Sequence, residues 1–251
     1  MDSPPRGSVS TIEPVTIPAA RLATRPELRQ QRDDRVKVGI LGGTGPQGRG
    51  LARRLAAAGH EVLMGSRSAE RAERIAAEYP RVEEAGAITG GSNLDAAAAE
   101  LVIVTVPYDG HAELLSSLAH ELAGKIVVDC VNPLGFDSKG PYPLEVAAGS
   151  AAQEAAELLP ESTVIAAFHH VSAVLLDDPE VHSFADDVLV LGEDRDAIAV
   201  VCELVAAVPG ARGIYAGRLR NAGQVEALAA NLIAINRRYK THAGIAVSGV
   251  S

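Results

Sequence analysis

Two cysteines in 251 residues leave no disulfide framework, and Cys130 and Cys202 lie too far apart in sequence for a metal-binding spacing, so a reducing cytoplasm and no metal are expected. No stretch approaches the roughly 18 apolar residues that a membrane span needs, which argues against a membrane partner. Basic excess is also missing. The formal net charge is −9, and beyond residue 35 there are 17 basic against 27 acidic side chains. An acidic body of this kind argues against nucleic acid, so any anionic ligand must be caught by local arginines and backbone N–H groups. Acid–base signatures are absent too. None of Tyr79, Tyr108, Tyr142, Tyr215 and Tyr239 is followed four residues later by lysine, and no lysine falls between Arg220 and Tyr239. The chain therefore lacks both the Tyr-x-x-x-Lys pair of short-chain dehydrogenases and the helix lysine of hydroxyacid dehydrogenases.

Residues 1–35 differ from the rest. Pro4, Pro5, Pro14, Pro18 and Pro26 interrupt them, arginines are scattered, and no apolar period persists. The lack of an apolar h-region argues against a secretory signal, and a flexible N-terminal extension is expected.

What is present begins at Val36. A short β-branched run ends in Gly42-Gly43-Thr44-Gly45-Pro46-Gln47-Gly48, and an alanine- and leucine-rich helix follows. Gly43, Gly45 and Gly48 have the G-x-G-x-x-G spacing of a dinucleotide-binding turn. Such glycines allow a tight turn, admit pyrophosphate to the backbone, and let the helix lie close on the sheet. The helix N-terminus then offers free N–H groups to phosphate. A second strand ends about twenty residues on, where an NAD-binding chain would carry an acid for the ribose hydroxyl. Here the residues are Gly65-Ser66-Arg67-Ser68, with Arg71 one turn into the next helix. A hydroxyl and two guanidiniums suit a 2′-phosphate, so the sequence points to NADP(H).

Strand and helix patterns then alternate. Leu101–Val106 and Lys125–Asp129 read as buried parallel strands, residues 109–122 as a helix, and 132–143 as an irregular surface loop. Further strands are expected near 162–168, 187–191 and 211–215, with helices over 151–159 and 196–208. A last helix over 220–239 carries Val225, Leu228, Leu232, Ile235 and Tyr239 on one stripe, to be packed on the sheet or on a second subunit. The fold class is α/β: a Rossmann-like, doubly wound, mainly parallel sheet with a smaller C-terminal α/β part. The expected organisation is an extension over 1–35, an NADP-binding domain over 36–160, and a smaller domain over 161–251 that completes a cleft and makes homodimer contacts.

The combination of residues 42–48, Gly-Ser-Arg at 65–67, Ile-Thr-Gly at 88–90 and His-His-Val-Ser-Ala at 169–173 resembles the NADPH-dependent F420 reductases, also called F420H2:NADP oxidoreductases. The likeness runs from about Val36 to Val250. It implies hydride transfer between NADP(H) and the deazaflavin coenzyme F420, both small-molecule substrates, in a cytoplasmic homodimer. By that resemblance Gly43, Thr44, Gly45, Pro46, Gln47 and Gly48 hold the pyrophosphate side, while Ser66, Arg67 and Arg71 hold the 2′-phosphate. Val106 and Pro107 lie near the nicotinamide, and Asn132, Pro133, His169, His170 and Val171 line the deazaflavin. His169 is expected to stabilise charge on the reduced ring. Arg218, Arg220, Arg237, Arg238 and Lys240 are candidates for the coenzyme's anionic tail, or are solvated helix-end charges. Hydride exchange between two ring carriers asks the protein for stacking and exclusion of water more than for an acid–base pair. Two other readings stay open at this point: a reductase of small carbonyls or imines, and an NADP(H) sensor without turnover.

Overall fold

The computed structural model describes residues 35–79 and 86–250; the N-terminal extension expected over 1–35 lies, apart from Arg35, outside the described residues. Ten strands are described: β1 Lys37–Leu41, β2 Glu61–Ser66, β3 Ile88–Ser92, β4 Leu101–Val104, β5 Ile126–Asp129, β6 Leu134–Asp137, β7 Gly140–Pro143, β8 Thr163–Ala166, β9 Asp187–Leu191 and β10 Arg212–Gly217. Eight of them form one sheet in the order β10-β9-β8-β5-β4-β1-β2-β3, and all neighbours are parallel except β8 and β9. The direction of winding reverses between β1 and β4, the place where open α/β sheets bind ligands. The strands after residue 160 extend this same sheet, and Arg35–Ser251 form one compact unit.

The helices are α1 Pro46–Ala57, α2 Ala69–Ala76, α3 Asn93–Ala97, α4 His111–Ser117, α5 Ala119–Leu122, α6 Ala151–Leu158, α7 Ala173–Asp177, α8 Arg195–Ala206 and α9 Ala222–Tyr239. They cover both faces of the sheet, so its strands are apolar on both sides. One core contains Val38, Ile40, Leu51, Leu55, Ile165 and Leu176, and the other Leu41, Val102, Val104, Leu115, Val127 and Val225.

Four local expectations change. The strand foreseen to Val106 ends at Val104, and the helix foreseen over 109–122 is a short 3₁₀ turn followed by α4 and α5, which break at Leu118. Residues 134–143, read as irregular, form the antiparallel β6–β7 hairpin. Asp137 Oδ1 accepts from the N–H groups of Lys139 and Gly140, and Gly140 supplies the positive φ of 123°, so the same turn residues that suggested a loop close a hairpin. The strand β3 was not foreseen, because Ile-Thr-Gly-Gly-Ser has too few β-branched residues to read as one.

Helix α1 is held on two sides. Its Leu51 and Leu55 enter the core, while Gly50 lies directly against Leu176 of α7. The buried guanidinium of Arg54 donates to the carbonyls of Leu175, Leu176, Asp178 and Val181 at 2.7–2.9 Å and stacks 5.2 Å from the Phe184 ring centroid. Arg49 and Arg53 meet Asp177, at 3.0 and 3.5 Å. Replacing Arg54 by Met keeps the packing stem but leaves four carbonyls without donors. Loss of a buried, charge-assisted set of this kind should cost about 3–5 kcal/mol, read as a lowered midpoint in denaturant unfolding.

Candidate functional site

The carboxyl ends of β1, β5 and β8 meet around one cleft of about 660 Å³. Its floor and one wall come from Gln47, Cys130, Asn132 and the segment from Phe168 to Val174. The opposite wall is the C-terminal half of α9, from Ala229 to Arg237, and residues 240–243 close the rim.

The glycine turn is built as its spacing demands, with one change of role. The left-handed residue is Gly42, at φ 71°, and not Gly43. Gly43 is packed on the second strand, its N–H donating to the Gly65 carbonyl at 2.8 Å. Asn93 Oδ1 accepts from the Gly42 N–H at 3.2 Å and pins the turn from α3. A Cβ on Gly48 would fall 2.5 Å from the Gly43 Cα, so glycine is required where helix meets strand. Beside Gly45 the space is open apart from the Gly42 carbonyl. Thr44 and Pro46 sit at the exposed side of this turn, with Pro46 as the first residue of α1, where a missing N–H costs nothing.

At the end of β2, Ser66 is buried and its Oγ accepts from the Ser68 N–H at 3.3 Å. Ser68 caps α2 through the Arg71 N–H at 3.2 Å. Arg67 and Arg71 are both exposed, and neither has an ion-pair partner among the described residues. Residues 65–68 at the end of β2 include no acid, and the Glu70 carboxylate just beyond them accepts from Ser68 Oγ at 2.9 Å.

The histidine segment is fixed by hydrogen bonds from two sides. Asn132 Nδ2 donates to the His169 carbonyl at 2.7 Å, which turns its Oδ1 toward His169 Nδ1, 3.2 Å away. The Asn132 oxygen accepts, so Nδ1 carries the proton, and the buried Nε2 has no partner among the described residues. His170 Nε2 accepts from the Leu189 N–H at 3.2 Å, fixing that ring on β9. Burial lowers the pKa of both imidazoles to about 4, so both are uncharged at neutral pH. The His169 ring, which lines the cleft, is therefore uncharged there. Phe168, just before the pair, is buried with φ 63°, a left-handed backbone that costs a non-glycine residue about 1 kcal/mol or more. Its carbonyl accepts from Gln47 Nε2 at 3.1 Å. Val171 lines the cleft with the histidines.

Val106, Pro107 and Pro133 stand outside the cleft lining. Val106 packs over Gly42, Pro107 is exposed after β4, and Pro133 is buried after Asn132. Beneath these strand ends lies a cluster that sequence reasoning missed. His111 and Asp129 are fully buried, with His111 Nε2 2.6 Å from Asp129 Oδ2 and Nδ1 3.1 Å from Glu154 Oε2. Burial opposes the imidazolium, but the hydrogen bonds and charges of Asp129 and Glu154 outweigh it and raise the His111 pKa. Asp129 Oδ1 in turn accepts from the Val131 N–H at 2.9 Å and so holds the Cys130–Asn132 turn. Glu226 of α9 accepts from the Ala151 and Ala152 N–H groups, and burial pushes its pKa up to about 7. Nothing in sequence spacing joins these four residues. Among the basic residues near the C-terminus, Arg237 and Lys240 line the cleft, whereas Arg218 pairs with Glu193 at 3.0 Å, and Arg220 and Arg238 are not part of the lining.

The family described as NADP oxidoreductase, coenzyme F420-dependent, matches residues 37–133. An F420-dependent NADP reductase of Methanothermobacter thermautotrophicus is 38% identical over 226 residues, covering 86% of this chain and 96% of the relative. One of the same name from Methanocaldococcus jannaschii is 37% identical over 82% of this chain and 95% of its own length. Among solved structures, a putative F420-dependent NADP reductase from Arthrobacter sp. FB24 superposes with a TM-score of 0.67 at 28% identity, covering 84% of this chain and all of that one.

The uncharged histidines carry a pH consequence. In the unfolded chain they bind protons near 6.5, in the fold only near 4, so stability is lost as pH falls from about 6.5 to 4. Each shift corresponds to roughly 3 kcal/mol when fully expressed. His170→Gln, whose amide oxygen can take over the Leu189 hydrogen bond, should flatten the acid-side decline in melting temperature; an unchanged decline would contradict the assignment.

Proposed function

This chain belongs to the F420-dependent NADP reductase family, and from that premise we propose how its residues divide the work of passing a hydride between NADP(H) and coenzyme F420. The glycine turn, from Gly43 to Gly48, holds the pyrophosphate against the N-terminus of α1, where backbone N–H groups and the helix dipole favour negative charge. Ser66, Arg67 and Arg71 receive the 2′-phosphate. Val106 and Pro107, at the β4 end, border the nicotinamide, while Asn132, Pro133, His169, His170 and Val171 form the wall against the deazaflavin. Arg237 and Lys240 at the cleft mouth offer positive charge to its anionic tail.

The observation that carries this reading is the pairing of two features in one fold. A strand end with no acid at residues 65–68 bears two exposed arginines free of ion pairs among the described residues, and a separate cleft of about 660 Å³ opens beside the same glycine turn. The cleft is uncharged at His169 and cationic at its rim, which suits a ligand with a flat ring and an anionic tail. The two cofactors supply the redox chemistry when bound. The protein contributes orientation and an uncharged wall at the histidine pair. A sensor without turnover needs no second cofactor site, so the cleft lined by the histidine pair counts against that reading.

Two free cysteines support a reducing, cytoplasmic setting. No helix among the described residues is long and apolar enough to cross a membrane. For the quaternary state we favour a homodimer. On the α9 stripe Val225 and Leu232 are buried, but Ile235 and Tyr239 are exposed, and so are Phe136 and Tyr142 of the hairpin that packs on α9. A solution mass of one chain by sedimentation would contradict this.

The functional test is to mix the protein with NADPH and oxidised F420 and follow loss of the deazaflavin absorbance. Replacing Arg67 and Arg71 by Ala together removes two charge-assisted contacts of about 1.5–3 kcal/mol each, so the KM for NADPH should rise at least tenfold while that for NADH scarcely moves. Equal losses for both nucleotides would contradict the arginine assignment.

A further inference from the structure

We infer that Gln47 couples the two cofactor sites, so that occupancy of one tightens binding at the other. The inference rests on the functional reading above and adds to it a positioning role for a single side chain. Gln47 is the second residue of α1, in the turn whose backbone faces the pyrophosphate. Its side chain points the other way, into the second cleft, and its Nε2 donates to the Phe168 carbonyl across 121 residues of sequence.

The acceptor is unusual. Phe168 holds a left-handed backbone at φ 63° without being glycine, so its peptide plane is set by its surroundings and not by local preference. The next two residues are His169 and His170. His169 is tied to Asn132 on the β5 side, and His170 to Leu189 on the β9 side. Phe168 is thus the pivot of the cleft wall, and Gln47 is the contact that links this pivot to the phosphate turn. A ligand that orders the turn also orders Gln47, and with it the wall. The second ligand then meets a surface whose ordering cost is already met. Thermodynamic linkage requires the effect to be the same in both directions.

The rest of the interface lets this contact be removed without losing the fold. Arg54, one face-repeat further along α1, fastens residues 175–181 through four carbonyls, and Gly50 keeps α1 against Leu176. Gln47→Met preserves length and packing but has no donor. Gln47→Glu preserves shape and turns a carboxylate toward the carbonyl.

NADP+ and oxidised F420 cannot react with each other, so both can be titrated at equilibrium. The dissociation constant for F420, read from its fluorescence, should be at least about fivefold lower with saturating NADP+ than without, and NADP+ should gain the same factor from F420. In Gln47→Met and Gln47→Glu, shown to be folded by their melting curves, the factor should fall toward one. Binding of both cofactors by the unmodified protein with no coupling would overturn the inference alone, as would coupling that survives in both variants. Failure of the unmodified protein to bind F420 at all would overturn the functional reading together with it.

Discussion

The site depends on helix α1 being used on two faces at once. Its N-terminus, uncapped by any side chain, points its free N–H groups out of the glycine turn. Its flank, through Gln47, Gly50 and Arg54, seats the 168–181 segment that walls the neighbouring cleft. Positions 47, 50 and 54 fall on one stripe of a helix, so a single rigid element fixes the spacing between the glycine turn and the wall of the cleft. Neither could shift without the other. The close approach that makes this possible is steric: glycine at 48 lets α1 lie on β1, and glycine at 50 lets α7 lie on α1.

Electrostatics follow a consistent division. The chain is acidic overall, so the positive charges that remain unpaired among the described residues near the candidate sites stand out: Arg67 and Arg71 at the end of β2, Arg237 and Lys240 at the cleft mouth. Other arginines are consumed structurally. Arg54 is spent on carbonyls, Arg49 and Arg53 on Asp177, and Arg212 on Asp187 through two hydrogen bonds at 2.7 and 2.9 Å. Inside the cleft the histidines are uncharged because burial disfavours the imidazolium, while the one histidine whose pKa is raised, His111, is kept out of the cleft between two carboxylates. The protein thereby keeps fixed charge at its rims and in its supports, and lines the cleft wall at 169 and 170 with uncharged imidazoles.

Much of this was legible in the sequence, for definite reasons. The parallel strands announce themselves as continuous apolar runs because both sheet faces are covered, and the glycine turn is constrained by sterics that leave few alternatives to glycine. The arginines at 67 and 71 were readable because they replace an expected acid. The tertiary contacts were not. His111, Asp129, Glu154 and Glu226 come from four separate elements, so no local spacing reports their meeting. Phe168 is an ordinary apolar residue whose left-handed backbone is imposed by the contacts around it. The histidine pair was legible as residue types, but its burial and its neutral charge state were not, because sequence hides burial. The hairpin over 134–143 was hidden because its Asp and Gly residues serve a tight turn and a loose loop equally well.

The central claim is that two redox rings meet in the cleft beside α1 and exchange a hydride directly. The sharpest measurement uses NADPH dideuterated at the nicotinamide C4, mixed with the protein and oxidised F420 in ordinary water, with the reduced deazaflavin analysed by mass spectrometry. Direct transfer predicts one deuterium in each reduced deazaflavin. Product carrying only solvent hydrogen, or no reduction at all, would contradict the account.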